Sequence, residues 1–343
     1  MLQPHLIQPH SDRIAVLLNA NAKQVTPNVA RSLAHLVGDG DLYLSRSLDE
    51  ARDFTREIVR RSYPTVCTGG GDGTVANFVT DLLQSIDAEN SLRPYEEQTA
   101  CPTLGVLRLG TGNAVASLVG AGAASDDLKA LRSGDAKCAT PLSFIEAEGR
   151  LSPFIGLGLD AAIINDYFEI KDTFWGRHFK FAASILSKSI PREARGRCRT
   201  EVEVVNRGEP AVALDVNGNP VGDPILAGEV LYRGPAWIVA AGTVPYYGYN
   251  FKMFPFALDR PQRMQLRISW TGVGEMLWNL RDFWRGRCQK DIVDFACDAV
   301  SLRCSSPFPY QSAGDAFGTR TSLDFHVSPR TVDIVNHRAP VAA

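Results

Sequence analysis

The chain has 343 residues, 45% of them hydrophobic and 22% charged, with a formal net charge of −2. That length fits one large domain or two ordinary ones, and the charge balance excludes a chain that is basic throughout, which counts against a nucleic-acid partner. No apolar run approaches the roughly 18 residues of a membrane-spanning helix, and Met1–Ser11, with two His and two Pro, lacks the core of a signal peptide. A cytoplasmic protein is expected. Seven cysteines, at 67, 101, 138, 198, 288, 297 and 304, form no C-x-x-C pair. They read as reduced thiols, not as disulfides or a zinc site.

In chain order, Arg13–Asn19 is an apolar run ending in a turn-former, which predicts a buried strand. Pro27 opens a helix with Val29, Leu33, Leu36 and Val37 at helical spacing. Leu42–Leu44 predicts a second strand. Residues 48–61 predict a helix with Leu48, Ala51, Phe54 and Ile58 on one stripe, and Thr65–Thr68 a third strand. A helix over 75–86, a loop to Pro102, a strand at Leu104–Leu107 and a helical stretch at 114–119 follow. Strands alternating with helices imply a mainly parallel sheet, whose ligands bind at the carboxyl ends of the strands. From about Ser143 the apolar runs, such as 201–205 and 236–241, alternate with Gly, Pro and Asn turns, as in antiparallel β structure. Helical interruptions are predicted at about 177–188 and 273–285. The fold class is therefore α/β followed by a β-rich domain beginning near residue 140.

Chemistry concentrates in two glycine clusters. Thr68-Gly69-Gly70-Gly71-Asp72-Gly73-Thr74 lies between a strand and a helix, where glycine backbones can approach a ligand and N–H groups can cradle an anion. Asp72 repels a bare phosphate. It makes sense beside a magnesium ion or as acceptor of a proton from an attacking hydroxyl, or, without any ligand, as a helix N-cap. Leu109-Gly110-Thr111-Gly112-Asn113 is a second such loop, again after a strand. Neither is a Walker loop or a dinucleotide-binding fingerprint. Two loops at two strand ends of one sheet can flank one triphosphate.

At these residues the chain resembles the diacylglycerol kinase catalytic family, which includes sphingosine and ceramide kinases and bacterial lipid kinases. Gly70–Thr74 matches its G-G-D-G-T motif, with Asn77 following, and Leu109–Asn113 matches L-G-T-G-N. Gly156, Gly158, Asp160 and Ala161 match G-x-G-x-D-A, and Asn19 matches the Asn of the opening Asn-Pro, with Ala20 in place of the Pro. The resemblance implies an N-terminal Rossmann-like three-layer nucleotide domain (12–140, joined by about 325–343) and a C-terminal β-sandwich-like lipid domain (141–324), with a cleft between. It implies ATP and Mg²⁺ as cofactors. Asn19, Gly70, Gly71, Gly73, Thr74, Gly110, Thr111, Gly112 and Asn113 would contact the nucleotide. Arg177 and Lys180 stand where relatives carry a basic residue near the phosphates, in a basic segment running from Lys171 to Thr200. Asp160 would serve the substrate, and Asp72 with Asp315 catalysis and metal binding.

The chain departs from the family near its carboxyl end. Where relatives have Asp-Gly-Glu, with the Asp assigned as general base, this chain reads Ala313-Gly314-Asp315. Losing a general base costs about 10²–10⁴ in rate, although phosphoryl transfer leans more on positioning and charge neutralisation. Ala114 replaces an Asp common after the second loop, and Phe254–Arg260 lacks the family's acidic metal-binding turn. Ala162, where sphingoid-lipid kinases have Asp, tilts the acceptor toward diacylglycerol. The expected partners are a membrane lipid and a peripheral membrane surface met transiently, with a homodimer left open. Tyr246–Phe256 and an amphipathic stretch at 273–287 are the candidate surface elements, against the plainer reading of both as core. A soluble-substrate kinase of the NAD kinase type and a nucleotide-binding regulator without transferase activity are the competing readings.

Overall fold

The structure, a computed structural model, describes residues 5–6, 13–135, 138–159, 161, 199–271, 275, 282, 285–286 and 291–338. Its internal contacts divide the chain into two compact units: Met1–Ser143 with Gly248–Asn250 and Arg330–Ala343, and Phe144–Tyr247 with Phe251–Pro329.

The first unit opens with the short strand β1 (His5–Leu6), then β2 (Ile14–Asn19), α1 (Pro27–Val37), β3 (Leu42–Ser45) and α2 (Leu48–Arg60). It continues through β4 (Thr65–Gly70), α3 (Asp72–Asn90), β5 (Thr103–Arg108), α4 (Ala114–Leu118) and α5 (Ala124–Ser133). Helix starts are set by local chemistry. The Thr26 hydroxyl accepts from the Val29 N–H with Pro27 in the first turn, and the Ser47 hydroxyl accepts from the Glu50 N–H. β3, β2, β4 and β5 pair in parallel in that order, and Ile334, near the carboxyl end, pairs in parallel with Leu104 of β5. Ala15–Leu18, Val66–Gly70 and Leu104–Leu107 are buried throughout, as expected of strands covered on both faces.

Three details differ from the sequence reading. Leu48 is 58% exposed, because the inward stripe of α2 is carried instead by Thr55, Ile58 and Val59. Helix α3 begins three residues earlier than periodicity suggests, so the end of the first glycine cluster is its first turn. Helix α5 was not anticipated: it shows few apolar residues, of which Leu128 is buried and Leu131 packs beside it against the sheet core.

The second unit is antiparallel. After β6 (Cys138–Ala147) come β7 (Arg150–Ser152), β8 (Phe154–Gly158), β9 (Thr200–Asn206), β10 (Ala211–Leu214), β11 (Pro220–Ile225), β12 (Val230–Ala236) and β13 (Ile238–Gly242). β14 (Met264–Ser269), β15 (Ile292–Cys297), β16 (Ala299–Ser312) and β17 (Asp315–Val335) complete it. The ladder runs β11-β10-β15-β14-β13-β8-β16. β16 pairs with β9 through its first half and with β8 through its last three residues. Alternate side chains of β8, β9, β13, β14 and β16 point into one apolar core that includes Leu157, Val204, Val239, Leu266 and Leu302. On the other face of β14 a polar group is buried: Arg267 makes a two-bond contact with Asp294 at 2.8 Å, and Gln265 joins it at 2.9 Å. Buried charges of this kind persist only when paired and hydrogen-bonded.

Among the described residues no helix is long and apolar enough to cross a membrane. None of the five described cysteines is in a disulfide. Burial pushes the Cys67 thiol up to about 12, which leaves it protonated and inert in the core. The predicted helical interruptions at 177–188 and, apart from residues 275, 282 and 285, at 273–285 lie outside the described residues. In the aromatic loop Phe254 belongs to the core, whereas Tyr247 is half-buried and packs on Phe154.

Candidate active site

The first unit gathers the glycine clusters at the carboxyl ends of adjacent strands. β4 ends at Gly70, Gly71 is the cap residue of α3, and Asp72, Gly73 and Thr74 form its first turn. The first turn of a helix leaves backbone N–H groups without an intrahelical acceptor, which makes it a place for an anion. β5, paired with β4 in register Gly70 to Arg108, leads into the second loop, Leu109–Asn113. At the end of β2, Asn19 donates its amide to the Thr74 hydroxyl at 3.1 Å and accepts from the Asn21 N–H at 2.9 Å.

The two loops touch backbone to backbone. A Cβ on Gly110 would lie 2.2 Å from the Gly71 Cα and 2.6 Å from the Gly70 oxygen, so nothing larger than glycine fits. Asp72 fixes this contact. Its carboxylate, 7% exposed, accepts from the Ala114 N–H at 3.0 Å and the Val115 N–H at 3.2 Å, the first residues of α4. The N-cap expectation is thereby corrected. Gly71 occupies the cap position of α3 with no side-chain cap bond, and Asp72 instead caps a different helix, across the two loops.

Asn113 also turns inward. It adopts a left-handed conformation (φ 56°), and its side chain closes on Gly110, accepting from the Gly110 N–H at 3.0 Å and donating to the Gly110 oxygen at 2.8 Å. The Gly110 oxygen also accepts from Gln24 at 2.9 Å. Asn113 therefore shapes the loop, and Thr111 and Gly112 remain as its partly exposed residues. Gly112 in turn meets the segment Gly248–Asn250, whose Tyr249 N–H donates to the Gly112 oxygen at 3.0 Å. Gln24, Gly248 and Tyr249 had no sequence signal that would have linked them to the loop.

With this geometry established, comparison with known proteins is informative. Residues 13–144 match the family model of the diacylglycerol kinase catalytic domain. That span holds both glycine loops, Asn19 and Asp72. A diacylglycerol kinase structure from Bacillus anthracis str. Sterne aligns over 96% of this chain and 98% of its own, with TM-score 0.59 and 14% identity. A second structure from that organism, named only provisionally as a diacylglycerol kinase, gives TM-score 0.63 and 15% identity over 96% and 99% of the two chains. At such identities the likeness is one of fold. No curated protein matches the chain.

In the second unit, Asp315 opens β17 after the two-residue turn Ala313-Gly314. Both turn residues have positive φ, 50° and 85°, the type I′ geometry that favours Asn-Gly or Asp-Gly. Ala313 is buried, and its N–H donates to the Phe154 oxygen at 3.0 Å. Asp315 is exposed; desolvation by the surrounding chain raises its carboxyl pKa above the ordinary value, against the lowering pull of Arg150. Asp160, Arg177 and Lys180 lie outside the described residues.

Proposed function

We propose that this chain is an ATP-dependent lipid kinase that transfers the γ-phosphate to a lipid hydroxyl, with diacylglycerol the acceptor favoured over ceramide or a sphingoid base. The observation that carries the reading is the pair of glycine loops held Cα to Cα at Gly71 and Gly110, beside the first turn of α3. Backbone N–H groups at that turn suit the phosphates, and Asn19, Gly73, Thr74, Thr111 and Gly112 stand around it. Among the described residues no three acidic, His or Cys side chains form a metal-binding group. Magnesium is usually held by one or two carboxylates together with nucleotide phosphates and water, and Asp72 would supply a carboxylate. Magnesium would neutralise phosphate charge, while this chain's own groups position the nucleotide. The acceptor would be met at a membrane surface.

Labelled ATP offered to diacylglycerol, ceramide and a sphingoid base in mixed micelles, and to NAD in solution, tests the reading. Transfer to diacylglycerol is expected; label on NAD alone, or on nothing, overturns it. The second outcome would fit a nucleotide-binding regulator, the reading that Ala313 favours. A smaller effect is expected from Asn19→Ala, which removes the support of Thr74: Kd for MgATP by calorimetry should rise about five- to tenfold, the worth of one or two neutral hydrogen bonds. An unchanged Kd would remove Asn19 from the nucleotide site.

A further inference from the structure

The last rung of the parallel sheet carries a charged side chain that no motif marks. Leu18 of β2 lies opposite Gly69 of β4, and Gly70 of β4 lies opposite Arg108 of β5. Asn19, Gly70 and Arg108 therefore form one row across three neighbouring strands. Residues in register on parallel strands project to the same face. At Gly70 that face is the one toward α3, because a Cβ there would run into the Thr74 side chain. Asn19 projects to it as well, since its amide reaches the Thr74 hydroxyl at 3.1 Å. Arg108 completes the row on the other side of Gly70, one strand spacing of about 4.8 Å away.

The surroundings leave this cation uncompensated. Leu104 and Val106, which share its face of β5, are buried, whereas Arg108 is exposed. Its guanidinium makes no hydrogen bond or ion pair with any described residue. Elsewhere in the same unit Arg52, Arg61, Arg93 and Arg330 are each paired with a carboxylate. Asp72, the one carboxylate of the glycine loops, is buried and bonded to the Ala114 and Val115 N–H groups. The first turn of α3 brings unpaired N–H groups and the positive end of a helix dipole to the same rung. An anion seated there meets both the turn and the guanidinium. The planar fork of arginine matches two phosphate oxygens at once, which a lysine ammonium cannot do.

We infer that Arg108 is a binding residue for the polyphosphate chain of the nucleotide, flanking the first turn of α3 on the side opposite Asn19. The inference rests on the reading of the glycine loops as the ATP site of a lipid kinase, and every residue it uses belongs to the first unit.

Calorimetry on the full chain, with MgATP and with magnesium tripolyphosphate as separate probes, tests it. Arg108→Gln keeps a long polar side chain at an exposed position, so the thermal midpoint should not move. Kd for both probes should rise about 10- to 100-fold, the worth of hydrogen bonds to a charged group. Arg108→Lys should recover only part of the loss, since it keeps the charge and gives up the fork. Raising the salt from about 0.05 to about 0.5 M should narrow the gap between wild type and Arg108→Gln, as a screened charge contact requires. A Kd within twofold of the wild type for both probes overturns the inference and leaves the nucleotide site standing. A loss confined to MgATP overturns it too, because Arg108 would then meet the nucleoside. A wild type that binds both probes but transfers phosphate to no lipid sinks the lipid kinase reading, and the binding data still judge Arg108. A wild type that binds neither overturns both.

Discussion

Asp72→Asn is expected to lower phosphate transfer at least 100-fold. The change looks conservative, but the site makes it otherwise. Both carboxylate oxygens accept backbone N–H groups, from Ala114 and Val115, and the residue is buried. An amide has one oxygen; its NH₂ end would face an N–H donor, so one bond is lost and replaced by opposed dipoles. Charge-assisted hydrogen bonds contribute about 1.5–3 kcal/mol each. Losing one and weakening the other is enough to release the second glycine loop, and about 1.4 kcal/mol is tenfold in a population or rate. The variant separates two roles. If Asp72 chiefly clamps the loops, Kd for MgATP should rise along with the loss of turnover, and the amides of 110–115 should exchange faster. If it chiefly meets magnesium or the acceptor proton, MgATP binding should persist while kcat alone collapses. Turnover at the wild-type level would remove Asp72 from both.

The same residue shows what the sequence could and could not reveal. The alternation of strands and helices was legible because its signals are local: Thr26 before Pro27, Ser47 before Asp49 and Glu50, and apolar runs that end in Gly or Asn. The glycine loops were legible as loops, since they stand directly after strands. Their partners were not. Asp72 bonds a residue 42 positions away, and Tyr247 meets Gln311 across 64; no periodicity encodes such pairs. Asn113 read as a donor for a ligand because its amide is polar and follows a glycine. In the folded chain that amide is consumed by Gly110, three residues back. Gly110 is named by the resemblance as a nucleotide contact; in the folded chain the space its missing Cβ leaves is filled by the backbone of Gly71. Helix α5 escaped notice because alanines and charges outnumber its apolar residues, so little apolar stripe shows in the sequence.

The largest gain is expected from Ala313→Asp, which should raise turnover at least tenfold, and up to the roughly 10² that a restored general base can supply. The turn geometry supports the substitution before any chemistry is considered. Ala313 sits at φ 50° and Gly314 at φ 85°, and aspartate followed by glycine is a preferred pair for this turn while alanine is not. Relief of the left-handed alanine is worth up to about 1 kcal/mol. Against it stands the burial of the site, 4% exposed for Ala313, which disfavours an ionised carboxylate and raises its pKa. That raising brings a carboxyl closer to neutrality, where a base is most effective. Two controls divide the contributions. Ala313→Gly should stabilise the fold modestly with no gain in rate, because it eases the backbone and adds no acceptor. Ala313→Asn should behave similarly, since an amide fits the turn but takes up no proton. The rate of Ala313→Asp should carry an added acidic limb at higher pH than the wild type's, because burial raises the pKa of the new carboxyl. An Asp variant that folds, binds MgATP and turns over no faster than the wild type would mean that this turn does not face the acceptor hydroxyl.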